Sequence, residues 1–252
     1  MLLDFIRPTE GSIKILGLDS IEDSIEIRKN IGYLPGELEL FSKMTGKDFL
    51  IYMANLHGGV DWDFVCEMVK NLKADIKKPI GSLSHGNKQK LGLIQAFMHY
   101  PDILILDEPT NGLDPLIQQQ FHNILRSLRE NNKTVFLSSH IMGEVEEICD
   151  RVGIIREGEL IAVEKIADIK AKRLQPVEIH FSSKVPHNIF DNLPNVFNVE
   201  INDNIVKCKV SPRYSLDSFI KTIANFEVTK IIAPEPNLEE LFLSYFGGNK
   251  NG

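Results

Sequence analysis

Between Ile103 and Leu106 four apolar residues follow one another without a polar break, and the run ends on two carboxylates, Asp107 and Glu108, before Pro109. A short unbroken apolar stretch fits a strand covered on both faces, the condition of strands inside a parallel sheet. Such a sheet needs helices on its two sides, so the surrounding chain must alternate strand and helix. Ligands of open parallel sheets gather at the carboxyl ends of strands, which is where the two acids stand.

The alternation is present. Residues 1 to 6 are expected to be the tail of a helix, stopped by Pro8 and a turn around Gly11, and Ser12 to Leu16 a short strand. Ile31 to Leu34 forms a second strand, followed by a loop at Pro35, Gly36 and Glu37. From Thr45 to about Leu72 the pattern is helical, with Thr45 and Asp48 in capping-box spacing and Phe64, Val65, Met68, Val69 and Leu72 on one face. A helix from Asn87 to about His99 ends at Pro101 and feeds the acidic strand. Pro115 starts another helix, capped by Asp114, with Ile117, Phe121, Ile124, Leu125 and Leu128 facing inward. Thr134 to Leu137 returns as a strand, and Val152 to Ile155 pairs with Leu160 to Val163 across Gly158.

After the charged stretch Lys165 to Arg173 the character changes. Strands at 177–183, 196–201, 205–210 and 227–232, with helices near 187–193 and 215–225, give the βαββαβ order of a ferredoxin-like unit. A last helix is expected over Leu238 to Tyr245. The fold class is therefore α/β with a small C-terminal α+β domain, divided at 1–165 and 176–245, the first part holding a helical subdomain over about 41–100.

Composition narrows the partners. Asp and Glu number 35 against 28 Lys and Arg, a formal charge of −7, which gives no electrostatic reason to expect nucleic acid. Cys66, Cys149 and Cys208 stand far apart without a CxxC pair, as suits reduced core-filling thiols. No apolar run reaches the roughly 18 residues of a membrane helix, and Met1 is followed by Leu2, Leu3 and Asp4 instead of a basic leader. The expectation is a cytoplasmic chain whose role at a membrane is borrowed from a partner that spans it.

Three segments carry chemistry. In ILILDEPTNGLDP, Asp107 can hold Mg²⁺, which takes few carboxylates and completes its octahedron with water and phosphate oxygens, leaving Glu108 to activate water. In LSHGN, Ser84 and the backbone of Gly86 sit at a helix start able to receive a phosphate; Ser before a helix is equally a plain N-cap. The distance from Ser84 to Asp107 leaves room for one helix, one turn and one strand. Ser138, Ser139 and His140 end the next strand, where His140 could reach a terminal phosphate and the water that Glu108 orients.

LSHGN, ILILDEP, NGLDP and LSSH, in this order, resemble the signature, Walker B, D-loop and H-loop segments of the ABC ATPase family, across about residues 1 to 165. The resemblance implies a P-loop NTPase-like core, ATP and Mg²⁺ as cofactors, and ATP hydrolysis. It implies a head-to-tail dimer with a second ABC ATPase subunit, coupled to a transmembrane permease at the inner face of the cell membrane. Carried over, Asp107 holds Mg²⁺, Glu108 is the catalytic carboxylate and His140 contacts the γ-phosphate in its own site. Asp114 communicates across the dimer. Ser84, His85, Gly86 and Asn87 form the signature that meets the partner's γ-phosphate.

Three departures qualify the resemblance. No GxxxxGK[ST] occurs in the sequence, so a phosphate loop expected directly before Met1 is missing, and truncation or a misplaced start is the expected cause. A chain lacking that loop is expected to be inactive alone and to leave strand edges unpaired. In IGYLPGE, which resembles the Q-loop segment, the family's glutamine falls on Gly36, and Glu37 is the candidate substitute. In the signature, His85 and Asn87 replace Gly and Gln. The C-terminal part offers no set of chemical groups, and NLEELFLSYF resembles the tail of cassettes that pair with exporter-type permeases. The leading expectation is a subunit coupling ATP hydrolysis to export; the alternative is a non-hydrolysing subunit that completes a partner's composite site.

Overall fold

The structure, a computed structural model, describes residues 1–172, 174–211 and 216–234. The chain divides into two compact units, Met1–His140 and Ile141–Gly252. The boundary expected between 165 and 176 therefore falls within the second of these.

The first unit is built on a parallel sheet of β3 (Ile31–Leu34), β4 (Ile103–Asp107) and β5 (Thr134–Ser138), in that order. Ahead of it come a two-residue hairpin, β1 (Lys14–Ile15) with β2 (Leu18–Asp19), and the short helix α1 (Ser24–Lys29). Register pairs Leu34 with Leu106 and Asp107 with Ser138, so the strands end together at one rim. One face of β4 is closed, with Leu104 and Leu106 fully buried. On the other, Ile103 and Ile105 pack against a cluster of Leu3, Ile15, Ile27 and Ile31. Among the described residues β4 is the only strand bonded to β5, and Phe136 on β5 is 60% exposed.

Helices α2 (Gly46–Leu56) and α3 (Trp62–Asn71) replace the single helical stretch expected from Thr45 to Leu72. Gly58 and Gly59, at φ +77° and +107°, reverse the chain in a conformation other residues adopt at a cost. Each helix has its own cap: Thr45 accepts from the Asp48 amide, and Asp61 from those of Asp63 and Phe64. Helix α4 (His85–Phe97) lies close on β3, because a Cβ on Gly32 would stand 2.0 Å from the Ala96 carbonyl oxygen. Helix α5 (Pro115–Glu130) buries Ile117, Phe121 and Leu125, with Pro115 in its first turn.

Residues 1–6 depart from expectation. They form turns, with the Asp4 amide on the Met1 carbonyl and Asp4 itself at φ +58°, a left-handed residue that no helix accommodates.

In the second unit come α6 (Met142–Ile148), the hairpin of β6 (Arg151–Arg156) and β7 (Glu159–Lys165), and α7 (Ile166–Lys172). A four-stranded antiparallel sheet follows: β8 (Gln175–Phe181), β9 (Val196–Asn202), β10 (Ile205–Val210) and β11 (Val228–Ile232), with α8 (Asp217–Ile223) before the last strand. The spatial order β11-β8-β10-β9 places the fourth strand beside the first and the third between first and second, the split arrangement expected of a ferredoxin-like unit. Ile179, Phe181, Val206 and Phe219 fill its core.

The helix expected near 187–193 is instead a series of turns closed by bonds from Ile189 to Pro186, Asp191 to Asn188 and Leu193 to Phe190. Asn188, Asp191 and Asn192 favour such turns because their side chains compete with the helical ladder. The helix expected over 238–245 lies outside the described residues.

Candidate functional site

The rim where β3, β4 and β5 end gathers the acidic pair. Asp107 is exposed as the last residue of β4, and its Oδ1 accepts the hydroxyl proton of Ser138, its register partner on β5. The same hydroxyl oxygen accepts from the Glu108 amide at 3.1 Å. One serine thus orients both acids. At Glu108 the backbone leaves the strand with φ +46°, an uncommon conformation for a residue with a Cβ. Oε2 of Glu108 stands 2.8 Å from Nδ1 of His140. With Nδ1–H assigned toward the carboxylate, Nε2 of the neutral ring is an acceptor.

Gly36 faces this pair from the loop after β3. A Cβ built there would stand 2.8 Å from Oδ2 of Asp107, so a side chain at this position would require the carboxylate to shift. Glu37, the neighbouring candidate, is exposed in the same loop.

The LSHGN segment sits at the start of α4. Ser84 is its N-cap, accepting from the Asn87 amide at 3.3 Å, and Ser84 and His85 are exposed. Asn87 is turned elsewhere: its Oδ1 accepts from the Asp75 amide at 2.8 Å and its Nδ2 donates to the Asp75 carbonyl at 2.9 Å. A side-chain amide bonded to both backbone groups of one residue acts as a strand-like tie, which accounts for Asn87 without a ligand. Gly86 approaches the NGLDP loop so closely that a Cβ would stand 2.4 Å from the Gly112 carbonyl oxygen. Gly112, at φ +73°, has no room for a side chain beside the His85 ring. Asp114 caps α5, accepting from the Ile117 amide at 3.1 Å.

The expected residues fall into two groups within the first unit. Asp107, Glu108 and His140 gather at the strand ends, while His85 and Gly86 meet the 111–114 loop at Gly112 and Ser84 caps the same helix. Two residues without a role assigned from sequence join the picture: Ser138, which orients both acids, and Gln89, whose Nε2 donates to the carbonyls of Glu108 and Pro109 at 3.1 Å each. Gln89 was detectable as a carboxamide four residues before Leu93 and seven before Ala96, on an otherwise apolar helix face.

Mg²⁺ suits this donor set. Asp107 offers one exposed carboxylate next to a hydroxyl. That is the chemistry of an ion that draws most of its ligands from water and phosphate.

Comparison with known proteins agrees with the geometry. Residues 1–111 match the family model described as ABC transporter. The chain is 33% identical over 261 residues to the bacitracin transport ATP-binding protein BcrA of Bacillus licheniformis, covering 100% of this chain and 84% of that protein. It shares its fold with a solved ATP-binding subunit of an ABC transporter, at a TM-score of 0.63 and 24% identity, over 67% of this chain and 72% of that one. A dimeric post-hydrolysis state of an ATP-binding cassette bound to ADP and Pi superposes with a TM-score of 0.56 at 21% identity, covering 64% of this chain and 75% of that one. The fold is that of an ABC ATPase domain, a P-loop NTPase-like core on a parallel sheet. The chain belongs to the ATP-binding subunits of ABC transporters.

Proposed function

We propose that this chain drives export through a separate membrane permease by hydrolysing ATP at a site shared with a second ATPase subunit. The observation that carries this reading is the linkage of Asp107 and Glu108 through Ser138, with His140 on the Glu108 carboxylate, at the ends of two neighbouring parallel strands. The export direction is supported by the likeness to BcrA, named for bacitracin transport. Residues 1–165 act as the cassette portion and 176–245 as an accessory domain.

In this reading Asp107 holds Mg²⁺, which supplies charge neutralisation to the β- and γ-phosphates. Glu108 accepts the proton of the attacking water. His140 acts as an imidazolium, donating from Nδ1–H to Glu108 and from Nε2–H toward the γ-phosphate, because a neutral ring with its proton on Nδ1 would offer Nε2 only as an acceptor. Ser84, His85 and Gly86 face the other subunit's nucleotide, with hydroxyl and backbone amides at the positive end of α4. Asp114 holds the 111–114 loop in place through its cap, and Glu37 takes the Q-loop role in place of Gly36. No helix among the described residues is long and apolar enough to cross a membrane, and a peripheral place at the inner membrane face follows from the permease partner.

The test is turnover by the chain copurified with the membrane and ATPase subunits it assembles with. Glu108→Gln should lower ATP hydrolysis by about 10²- to 10⁴-fold while nucleotide binding persists. Undiminished turnover would refute hydrolysis by this chain, and would assign it instead the role of completing a partner's site without cleaving ATP.

A further inference from the structure

Helix α4 turns one long polar side chain inward. Gln89 is 1% exposed, on a helix whose Leu93, Ile94 and Phe97 are buried as well. A carboxamide in such surroundings is costly unless its hydrogen bonds are made. Here Nε2 donates twice, to the carbonyl oxygens of Glu108 and Pro109, each at 3.1 Å.

Those two oxygens lie where the chain turns left-handed at φ +46°. The Glu108 carbonyl also accepts from the Asn111 amide at 3.1 Å, so Gln89 and Asn111 together occupy its two lone pairs. Glu108 is thereby held at three points: its amide by Ser138, its carboxylate by His140 and its carbonyl by Gln89. The first two holds come from β5 and the residues after it. The third comes from the helix whose first turn carries Ser84 and Gly86.

We propose that Gln89 is a positioning residue for Glu108, fixing the left-handed turn that aims the carboxylate, so that the base is set only when α4 is seated. The inference rests on the reading of Glu108 as the base. It adds a line of control: displacement of the signature helix withdraws both hydrogen bonds and lets the turn relax toward ordinary strand geometry, taking the carboxylate off His140. The close approach of Gly86 to Gly112 gives the same helix a second hold further along the loop. Binding at the exposed helix start is thus linked mechanically to the chain's own hydrolytic carboxylate.

Amide hydrogen exchange of the full-length chain, followed by NMR and corrected for intrinsic rates, tests the contact directly. Gln89→Met keeps length and removes the donors; Leu93→Ala opens a cavity on the same helix and controls for general destabilisation. The Asn111 amide should lose protection about tenfold in Gln89→Met while Leu104 and Leu106 stay within about twofold of wild type, and Leu93→Ala should lower all three together. In Gln89→Glu, protection at Asn111 should return as pH falls, because the neutral carboxyl regains a donor. A space-filling role predicts no such pH dependence. Unchanged protection at Asn111 in Gln89→Met, loss spread evenly into β4, or a flat pH profile in Gln89→Glu would overturn the proposal. Exchange reads the contact without turnover, so its failure is distinct from that of the Glu108→Gln assay, which would remove the base and leave the loop contact standing.

Discussion

His140 Nδ1 and Glu108 Oε2 stand 2.8 Å apart although 32 positions separate them along the chain. The contact follows from register. Asp107 and Ser138 are paired across β4 and β5, so the residues just beyond each strand end leave the sheet side by side. The left-handed turn at Glu108 then brings the carboxylate toward the imidazole. A pair held this way should act as a unit. In the assembled transporter, Glu108→Gln and His140→Ala should each reduce ATP turnover by about 100-fold or more, and the double variant should be little worse than the more damaging single one. Strictly multiplicative losses in that cycle would show that the two side chains work independently.

Asn87 stands at the family's signature glutamine, yet its amide is spent on Asp75. Asn87→Ala should therefore be a stability variant. Losing both bonds leaves a backbone amide and carbonyl in search of partners, at a cost of about 1–3 kcal/mol. Urea unfolding followed by the single tryptophan, Trp62 on α3, would report this within the first unit. Full stability together with weakened nucleotide binding would return Asn87 to the ligand side.

Gly86 is fixed by space. A Cβ there would meet the Gly112 carbonyl at 2.4 Å, and the obstacle is backbone that cannot swing aside as a side-chain tip can. Gly86→Ala should cost about 1–3 kcal/mol by overpacking, and should raise exchange across residues 110–114. Gly143→Ala, where a Cβ meets nothing within 4 Å, is the control and should be close to neutral. Equal behaviour of the two variants would contradict the packing described for the loop.

Much of this was legible because it is local. The apolar run ending in Asp107 and Glu108 gave both the strand and the place of its acids. Pro115 and Asp114 marked the start of α5, and strand spacing after residue 175 led to the ferredoxin-like sheet order. What escaped depends on contacts between segments. Gln89 owes its importance to two carbonyls about 20 positions away, and Asn87 to a loop 12 positions earlier. Residues 1–6 were apolar enough for a helix, but the left-handed Asp4 is incompatible with one. In the 186–193 segment, hydrophobic spacing suggested a helix where Asn and Asp side chains favoured turns.

Far from the acids, His99 makes a pH-dependent contribution to stability. Its ring stacks on His57 with centroids 3.9 Å apart, beside a cavity of about 420 Å³ that Lys29, Asp61 and Tyr100 also line. Nε2 bonds the Ile31 carbonyl at 3.2 Å, while Nδ1 is buried without a partner, so a second proton would leave an unsatisfied N–H inside. Burial pushes the ring down from the ordinary 6.5 to about 4, with the charge of His57 adding to the effect and the bond to Ile31 opposing it. Above pH 6.5 the ring is neutral in folded and unfolded chains alike, and the contribution is fully present. Between 6.5 and 4 the unfolded chain binds more protons, so stability falls with pH, and below 4 the loss levels off. Discounted for the solvent that reaches the ring, the loss from pH 7 to pH 5 should be on the order of 1 kcal/mol. His99→Gln retains a donor for Ile31 but does not titrate, so urea midpoints read from Trp62 should fall less between those pH values than in wild type. Parallel declines in the two proteins would mean that His99 is not the group being titrated.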